Sequence, residues 1–353
     1  MASPPGIAPR AAVVAPRAVS VLGGPWDLLL LGPGATLAVS GLLFGLMKVG
    51  LAGAASVLTA LLSVMAVGPH YAATYRRAYA SAEIVRAHPL VTLVAPPLLL
   101  IASLVAVRSR SIFGPLYFLT YVVWAGYHYS GQSLGLAMVF PLRQGARLDR
   151  REKRLLAAPL YCSWLLSVLG VFRVGVPGRN EAYEIVRDSF GVALPGWVLP
   201  AALAALLASL GCVAVVARDR RARGVPLPLA SYGVIAAQTL WFAGGLFSPM
   251  FNLVLVPIFH GIQYLALTSW HHLRASGPAT PRKLAAYLGG VIVLGLAINP
   301  GLQGVVKLFG PSAGYEAVAG IAAAVSAINL HHFLLDGRIW RMREPRVQQA
   351  LGG

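Results

Sequence analysis

Between Arg223 and Arg274 the chain carries no Asp, Glu, Lys or Arg. A stretch that long without a charge has no polar face to show to water. It is also long enough to cross a bilayer twice, since about 30 Å of hydrocarbon needs about 20 helical residues. Apolar runs of the same kind, uncharged but for Arg173 and Glu316, recur at 28–47, 52–74, 89–107, 112–139, 155–175, 195–217, 226–246, 250–273, 284–300 and 315–335, with the Arg223–Arg274 stretch divided at Ser248-Pro249. Only 11% of residues are charged and 57% are hydrophobic, against about 25% charged in soluble domains. The expectation is an all-α, polytopic transmembrane helical bundle of about ten spans.

The excess of Lys and Arg (29, against 11 Asp and Glu) would point to nucleic acid in a soluble chain. Here it sorts by loop. The two termini and the loops after every second span hold 22 of the 29, and the remaining loops hold 7. Cytoplasmic loops are the basic ones, so both termini are expected in the cytoplasm, in the inner membrane of a bacterium, with no nucleic-acid partner. The basic loop Arg143–Arg154 then lies against anionic head groups. Residues 1–26 read as a disordered cytoplasmic tail, 27–338 as the transmembrane helical domain and 339–353 as a second cytoplasmic tail. The external loop 176–194, with Glu181, Tyr183, Glu184, Ile185, Val186 and Asp188, is expected to form a short interfacial helix. Cys162 and Cys212 stand in separate runs without a CxxC and read as small buried hydrophobes.

Ionisable residues inside a membrane are costly and mark function. Seven of the eight histidines fall on even-numbered runs: His70, His128, His260, His271, His272, His331 and His332. All these runs point the same way. His70 precedes Arg76 by six residues, His332 precedes Arg338 by six and His272 precedes Arg274 by two. At 1.5 Å per residue those are depths of about 9, 9 and 3 Å from the cytoplasmic interface. His128 reaches the same level if its long helix projects into the cytoplasm. Helical phase adds partners four residues on: Gln132 after His128, Asp336 after His332 and Thr74 after His70. His260 stands eleven residues before His271, about 16 Å away along a helix, and is expected outside this level. His88, in a loop before Pro89, is expected to be structural.

Neutral imidazole is a favoured ligand of zinc, iron and copper. The candidate metal ligands are His70, His128, His260, His271, His272, His331, His332 and Asp336. Gln132, Gln263 and Tyr264 are candidate catalytic residues that orient ligands or substrate. Asp336 is the one acid within reach, which excludes a carboxylate-bridged di-iron site, and no HExxH of a zincin occurs. Covalent haem is excluded because CxxCH is absent.

Trp270-His271-His272, His331-His332 and the isolated His70 and His128 resemble the histidine sets of integral-membrane non-haem metal oxygenases: fatty-acid desaturases, lipid and alkane hydroxylases and carotenoid-cleaving membrane proteins. The boxes HxxxH and HxxHH of the desaturases do not occur. The resemblance implies an iron centre at the cytoplasmic face that oxidises a lipid or other hydrophobic small molecule by hydroxylation, desaturation or oxidative cleavage, with electrons from a donor protein. Two other readings fit the same residues. One is a zinc-dependent lipid hydrolase. The other is a haem b or metal-handling protein with His128 and His260 as axial ligands.

Overall fold

The computed structural model describes residues 19–109, 113–172, 194–247, 251–275, 277–298, 314–340, 347 and 351. They are helical, and no strand occurs among them. The helices are α1 (Gly34–Lys48), α2 (Ala52–Tyr79), α3 (Ala82–Ala87), α4 (Ala95–Arg108), α5 (Phe113–Arg143), α6 (Arg150–Gly170), α7 (Val198–Ala222), α8 (Leu229–Gly244), α9 (Val256–Ala275), α10 (Pro281–Leu296) and α11 (Gly314–Ile339). Single π-helical turns, Asp27–Leu31, Leu90–Val94 and Phe251–Leu255, lead into α1, α4 and α9. The expected interfacial helix with Glu181, Glu184 and Asp188 lies outside the described residues.

Four of these segments are long and apolar enough to cross a membrane: Ala52–Tyr79, Leu90–Arg108, Val198–Ala222 and Phe251–Ala275. The other apolar runs fall on helices that fail on length or polarity. Helices α8 and α10 have 16 residues each, short of the roughly 20 a span needs. Helix α5 has 31 residues but carries the polar Tyr127-His128-Tyr129-Ser130-Gly131-Gln132 within it. Helix α6 opens on the charged run Arg150–Arg154.

Side chains sort inside out. Leu37, Phe44, Val57, Leu61, Leu98, Ile101, Leu207 and Val293 are exposed on the outer surface, while Thr74, Ser130, Gln238, His260, His332 and Asp336 are buried. That is the arrangement of a bundle solvated by lipid, where polar groups must pair internally. Gln238 of α8 shows the principle: its amide donates to Ser130 Oγ and to the Leu160 carbonyl, at 2.9 and 2.8 Å.

Helix α2 packs against α1, α9, α10 and α11, and α11 lies among α2, α4 and α5. Helix α7 packs on α6, away from the histidine-bearing helices. Two glycines set how closely α2 is approached. A Cβ on Gly261 of α9 would stand 2.7 Å from the Ala66 carbonyl oxygen, and one on Gly68 would stand 2.7 Å from the Gly295 carbonyl oxygen of α10. Both contacts flank a histidine, His260 and His70.

One end of the bundle is closed by segments from the whole chain. Val21, Leu148, Leu227, Trp270, Val347 and Leu351 share one buried cluster, with Trp340 packed on it. Arg77, in the last turn of α2, sets its guanidinium 3.7 Å over the Trp340 ring. Ion pairs join Arg151 to Asp219 at 3.0 Å and Arg220 to Glu152 at 3.2 Å. The segments that carry most of the Lys and Arg therefore meet at the same end. Both terminal segments extend the fold beyond the expected limits of 27 and 338. The buried Asp27 carboxylate accepts from Ser20 Oγ, Val21 N and Leu22 N at 2.7, 3.1 and 2.7 Å, and Val347 and Leu351 are buried.

Candidate metal centre

Four imidazoles and one carboxylate meet in the interior, each from a helix position fixed by local sequence. His70 follows Pro69 inside α2. His128 comes from α5, His260 from α9, and His332 and Asp336 from successive turns of α11. Ring centroids lie 4.7 Å apart for His70 and His332, 5.2 Å for His70 and His260, 5.0 Å for His128 and His260, and 5.0 Å for His128 and His332. Two ligand sets follow, His70–His260–His332 and His128–His332–Asp336, each with donor atoms within 4.8 Å of one another.

The donor spacings suit a shared ion. His128 Nε2 and His260 Nε2 are 3.3 Å apart. Asp336 Oδ2 is 3.5 Å from His332 Nε2 and 3.9 Å from His128 Nε2. Two ligands each about 2.1 Å from one ion stand about 3.0–3.4 Å apart at octahedral to tetrahedral angles. Several donors also have no protein partner: His70 Nδ1, His260 Nδ1, both nitrogens of His332 and Asp336 Oδ2. Buried polar atoms without partners are costly, and these belong to residues whose ligand atoms gather within 4.8 Å of one another.

The carboxylate is held by its other oxygen. Tyr264 Oη and Thr74 Oγ1 donate to Asp336 Oδ1 at 2.8 and 3.0 Å, and Trp340 Nε1 donates to Tyr264 Oη at 3.0 Å. This turns Oδ2 toward the imidazoles. Aromatic rings wall the cluster: Phe333 stacks on His128 at 4.6 Å, and Tyr129 lies 4.3 Å from His260. The sequence reading did not single out Phe333 or Tyr129. Each directly follows a histidine or lies beside one in sequence, and nothing but three-dimensional packing distinguishes them from interfacial aromatics.

Three of the eight candidate ligands lie elsewhere. His271 meets Arg77 through both ring nitrogens, at 3.1 and 3.2 Å. His272 stacks on Tyr287 at 4.5 Å. His331 faces Tyr75 Oη at 3.1 Å and the Val91 carbonyl oxygen at 2.8 Å. His260, expected outside the common level, is inside it. The reason is length beyond the cluster. Helix α9 runs 14 residues from His260 to Arg274 and α5 runs 15 from His128 to Arg143, about 21 and 22 Å. Both pass into the protein cap at the basic end, where Arg143 and Arg274 flank the Trp270 ring at 5.0 and 5.2 Å. Arg274 thus ends the cap and does not mark the level of the cluster.

Of the candidate catalytic residues, Tyr264 reaches the cluster through Asp336. Gln132 lines a cavity beside it with His128, Tyr264 and Asp336. Gln263 does not reach it. One residue short of the turn that aligns His260 with Tyr264, it donates instead to the Leu31 carbonyl of the π-turn before α1. His88 ends α3, its amide bonded to the Ile84 carbonyl. No protein-family model matches the chain, and neither a curated protein nor a solved structure does.

Proposed function

We propose that the protein is an integral-membrane, metal-dependent oxidoreductase, a non-haem iron oxygenase acting on a lipid-soluble substrate. One observation carries the reading: four buried donors and the partly buried His128, from four helices, form two overlapping ligand sets, and several of their nitrogens and one carboxylate oxygen have no protein partner. Ten spans with both termini cytoplasmic, in a bacterial inner membrane, complete the proposal. It draws support from the gathering of the basic segments at one end of the bundle.

His70, His128, His260, His332 and Asp336 are the residues that would hold iron, which when bound supplies activation of dioxygen. The donors fall into two sets of three that share His332, and three protein ligands leave positions open on an ion. Imidazole suits iron as well as zinc. Haem b has less support. Axial nitrogens stand about 4 Å apart across a porphyrin, twice a metal–nitrogen bond of about 2 Å, whereas His128 and His260 Nε2 are 3.3 Å apart. Around the centre, Tyr264 keeps a proton on Oη directed at Asp336 Oδ1 and so orients the carboxylate. A cavity of about 510 Å³ opens beside His128 and Asp336, walled by Trp124, Leu136, Val139, Leu267 and Phe333. Such a volume is ordinary for a small-molecule site. Its apolar walls exclude water and take an apolar substrate directly from the bilayer.

The test is metal analysis with an optical spectrum on the full chain in detergent. Iron without a Soret band is expected, with His70→Ala, His128→Ala, His260→Ala and His332→Ala each losing most of it and His88→Ala keeping it. Stoichiometric zinc would favour the hydrolase and a Soret band the haem protein. Full metal content in all four cluster variants would sink the metal centre itself.

A further inference from the structure

The cavity beside the cluster is long. Its wall on α5 runs from Trp124 to Val139, fifteen residues by number, or about 22 Å of helix. Most of that wall is apolar. Within it sits one neutral polar group that the protein leaves unserved: the Gln132 amide, with Nε2 and Oε1 both buried and both without a protein partner among the described residues. Nearby polar groups are committed elsewhere. Tyr264 donates to Asp336, Trp340 donates to Tyr264, and Ser130 is taken by Gln238. An unsatisfied amide at this depth is a standing cost that a ligand can remove.

We propose that Gln132 is a specificity-determining residue, and that the cavity takes a long apolar molecule bearing a neutral hydroxyl. The inference rests on the metal-enzyme reading for the site and names its substrate class. A carbonyl or ether oxygen only accepts, so it pairs Nε2–H and leaves Oε1 bare. A hydroxyl both accepts and donates, so one group closes both bonds along the amide edge. The amide offers a charged head group no counter-charge, and desolvating an ion is expensive; Arg338, which also lines the cavity, would serve an anion but not a cation. Gln132 lies one helical turn from His128, about 6 Å along the axis. The hydroxyl therefore sits a few bonds from the carbon held against the cluster, and the rest of the molecule extends along the apolar wall toward Trp124.

Binding is read from tryptophan fluorescence of the full chain in detergent, with 1-hexadecanol, 1-methoxyhexadecane and hexadecane as probes. The wild type is expected to bind the alcohol at least about 10-fold more tightly than the alkane, the worth of one buried polar group left unpaired. The ether should fall between them. Gln132→Leu should bind alcohol and alkane alike while keeping wild-type metal content. Equal binding of alcohol and alkane by the wild type, no binding of either, or a preference that survives in Gln132→Leu would each overturn the proposal. If that variant does not fold, the order of the three probes on the wild type decides. Metal content separates the two readings: an alcohol preference in a protein that binds no metal rejects the oxygenase and keeps the recognition role. Metal without the preference does the reverse.

Discussion

His331 and His332 are adjacent, yet α11 turns them to different neighbours. His332 faces three other imidazoles and Asp336, with both ring nitrogens unpartnered. His331 spends its nitrogens on Tyr75 and the Val91 carbonyl. Substitution should therefore separate them. His332→Ala is expected to abolish metal binding and, because its fully buried ring leaves a cavity, to lower stability as well. His331→Ala should keep the metal and lower stability by about 1–2 kcal/mol, the usual cost of a severed buried hydrogen bond. Metal content and thermal unfolding of the two variants give the comparison, and equal metal loss in both would refute the assignment. Tyr264→Phe should weaken metal binding by about 10–100-fold, as removal of a residue that orients a ligand does. Much of this was legible in the sequence. His70, His128 and His332 stand out as ionisable residues in apolar runs, and the i,i+4 spacing links His332 to Asp336. The choice between His260 and His271 was not, because eleven residues is nearly three turns and phase alone does not separate them. Depth separates them, and depth was measured from Arg274.

Helices bring these residues together because small side chains let them. Gly261 sits one residue after His260, and the Ala66 carbonyl lies where its Cβ would be. Gly261→Ala forces α9 off α2 or distorts one of them, so a loss of about 1–3 kcal/mol is expected, together with a fall in metal content because His260 moves away from His70. Gly289→Ala on α10 has nothing within 4 Å of the added carbon and should be neutral or slightly stabilising, by up to about 1 kcal/mol. If the two variants unfold alike, the close approach is not what holds the site. The capping end offers a second case. Glu152 closes α6 with Asp149 in a capping box and also takes the buried guanidinium of Arg220. Glu152→Gln leaves Arg220 buried without its counter-charge, and a loss of about 3–5 kcal/mol is expected. From sequence Asp149 and Glu152 fall in the basic loop Arg143–Arg154, expected against lipid head groups. The pairing of Glu152 with Arg220 across two loops depends on α6 and α7 lying side by side, which no local pattern encodes.

At the scale of the molecule, the sequence separates two kinds of surface well and the bundle's internal order poorly. Apolar runs and their flanking charges mark the helices and group the basic loops, because lipid and water sort residues along the chain one segment at a time. Which helices touch is decided by packing between segments far apart in sequence, so the neighbourhood of α2, α5, α9 and α11 becomes visible only in the fold. Of the site helices, α2 and α9 remain long and apolar enough to span, while the histidine, tyrosines and glutamine of α5 lower its apolar content. Membrane orientation can be checked without reference to any site. Arg220–Glu152 and Arg151–Asp219 tie residues 150 and 220 to one end of the bundle, so reporters fused at those two positions must read the same compartment. The charge asymmetry predicts that this compartment is the cytoplasm. Gly50, in the turn between α1 and α2, lies at the far end of both helices and should read external. Opposite readings at 150 and 220 would contradict the fold. Matching external readings there, with Gly50 cytoplasmic, would preserve the fold and invert its orientation, and the metal centre would then have to draw its ion and any electrons from the other side of the membrane.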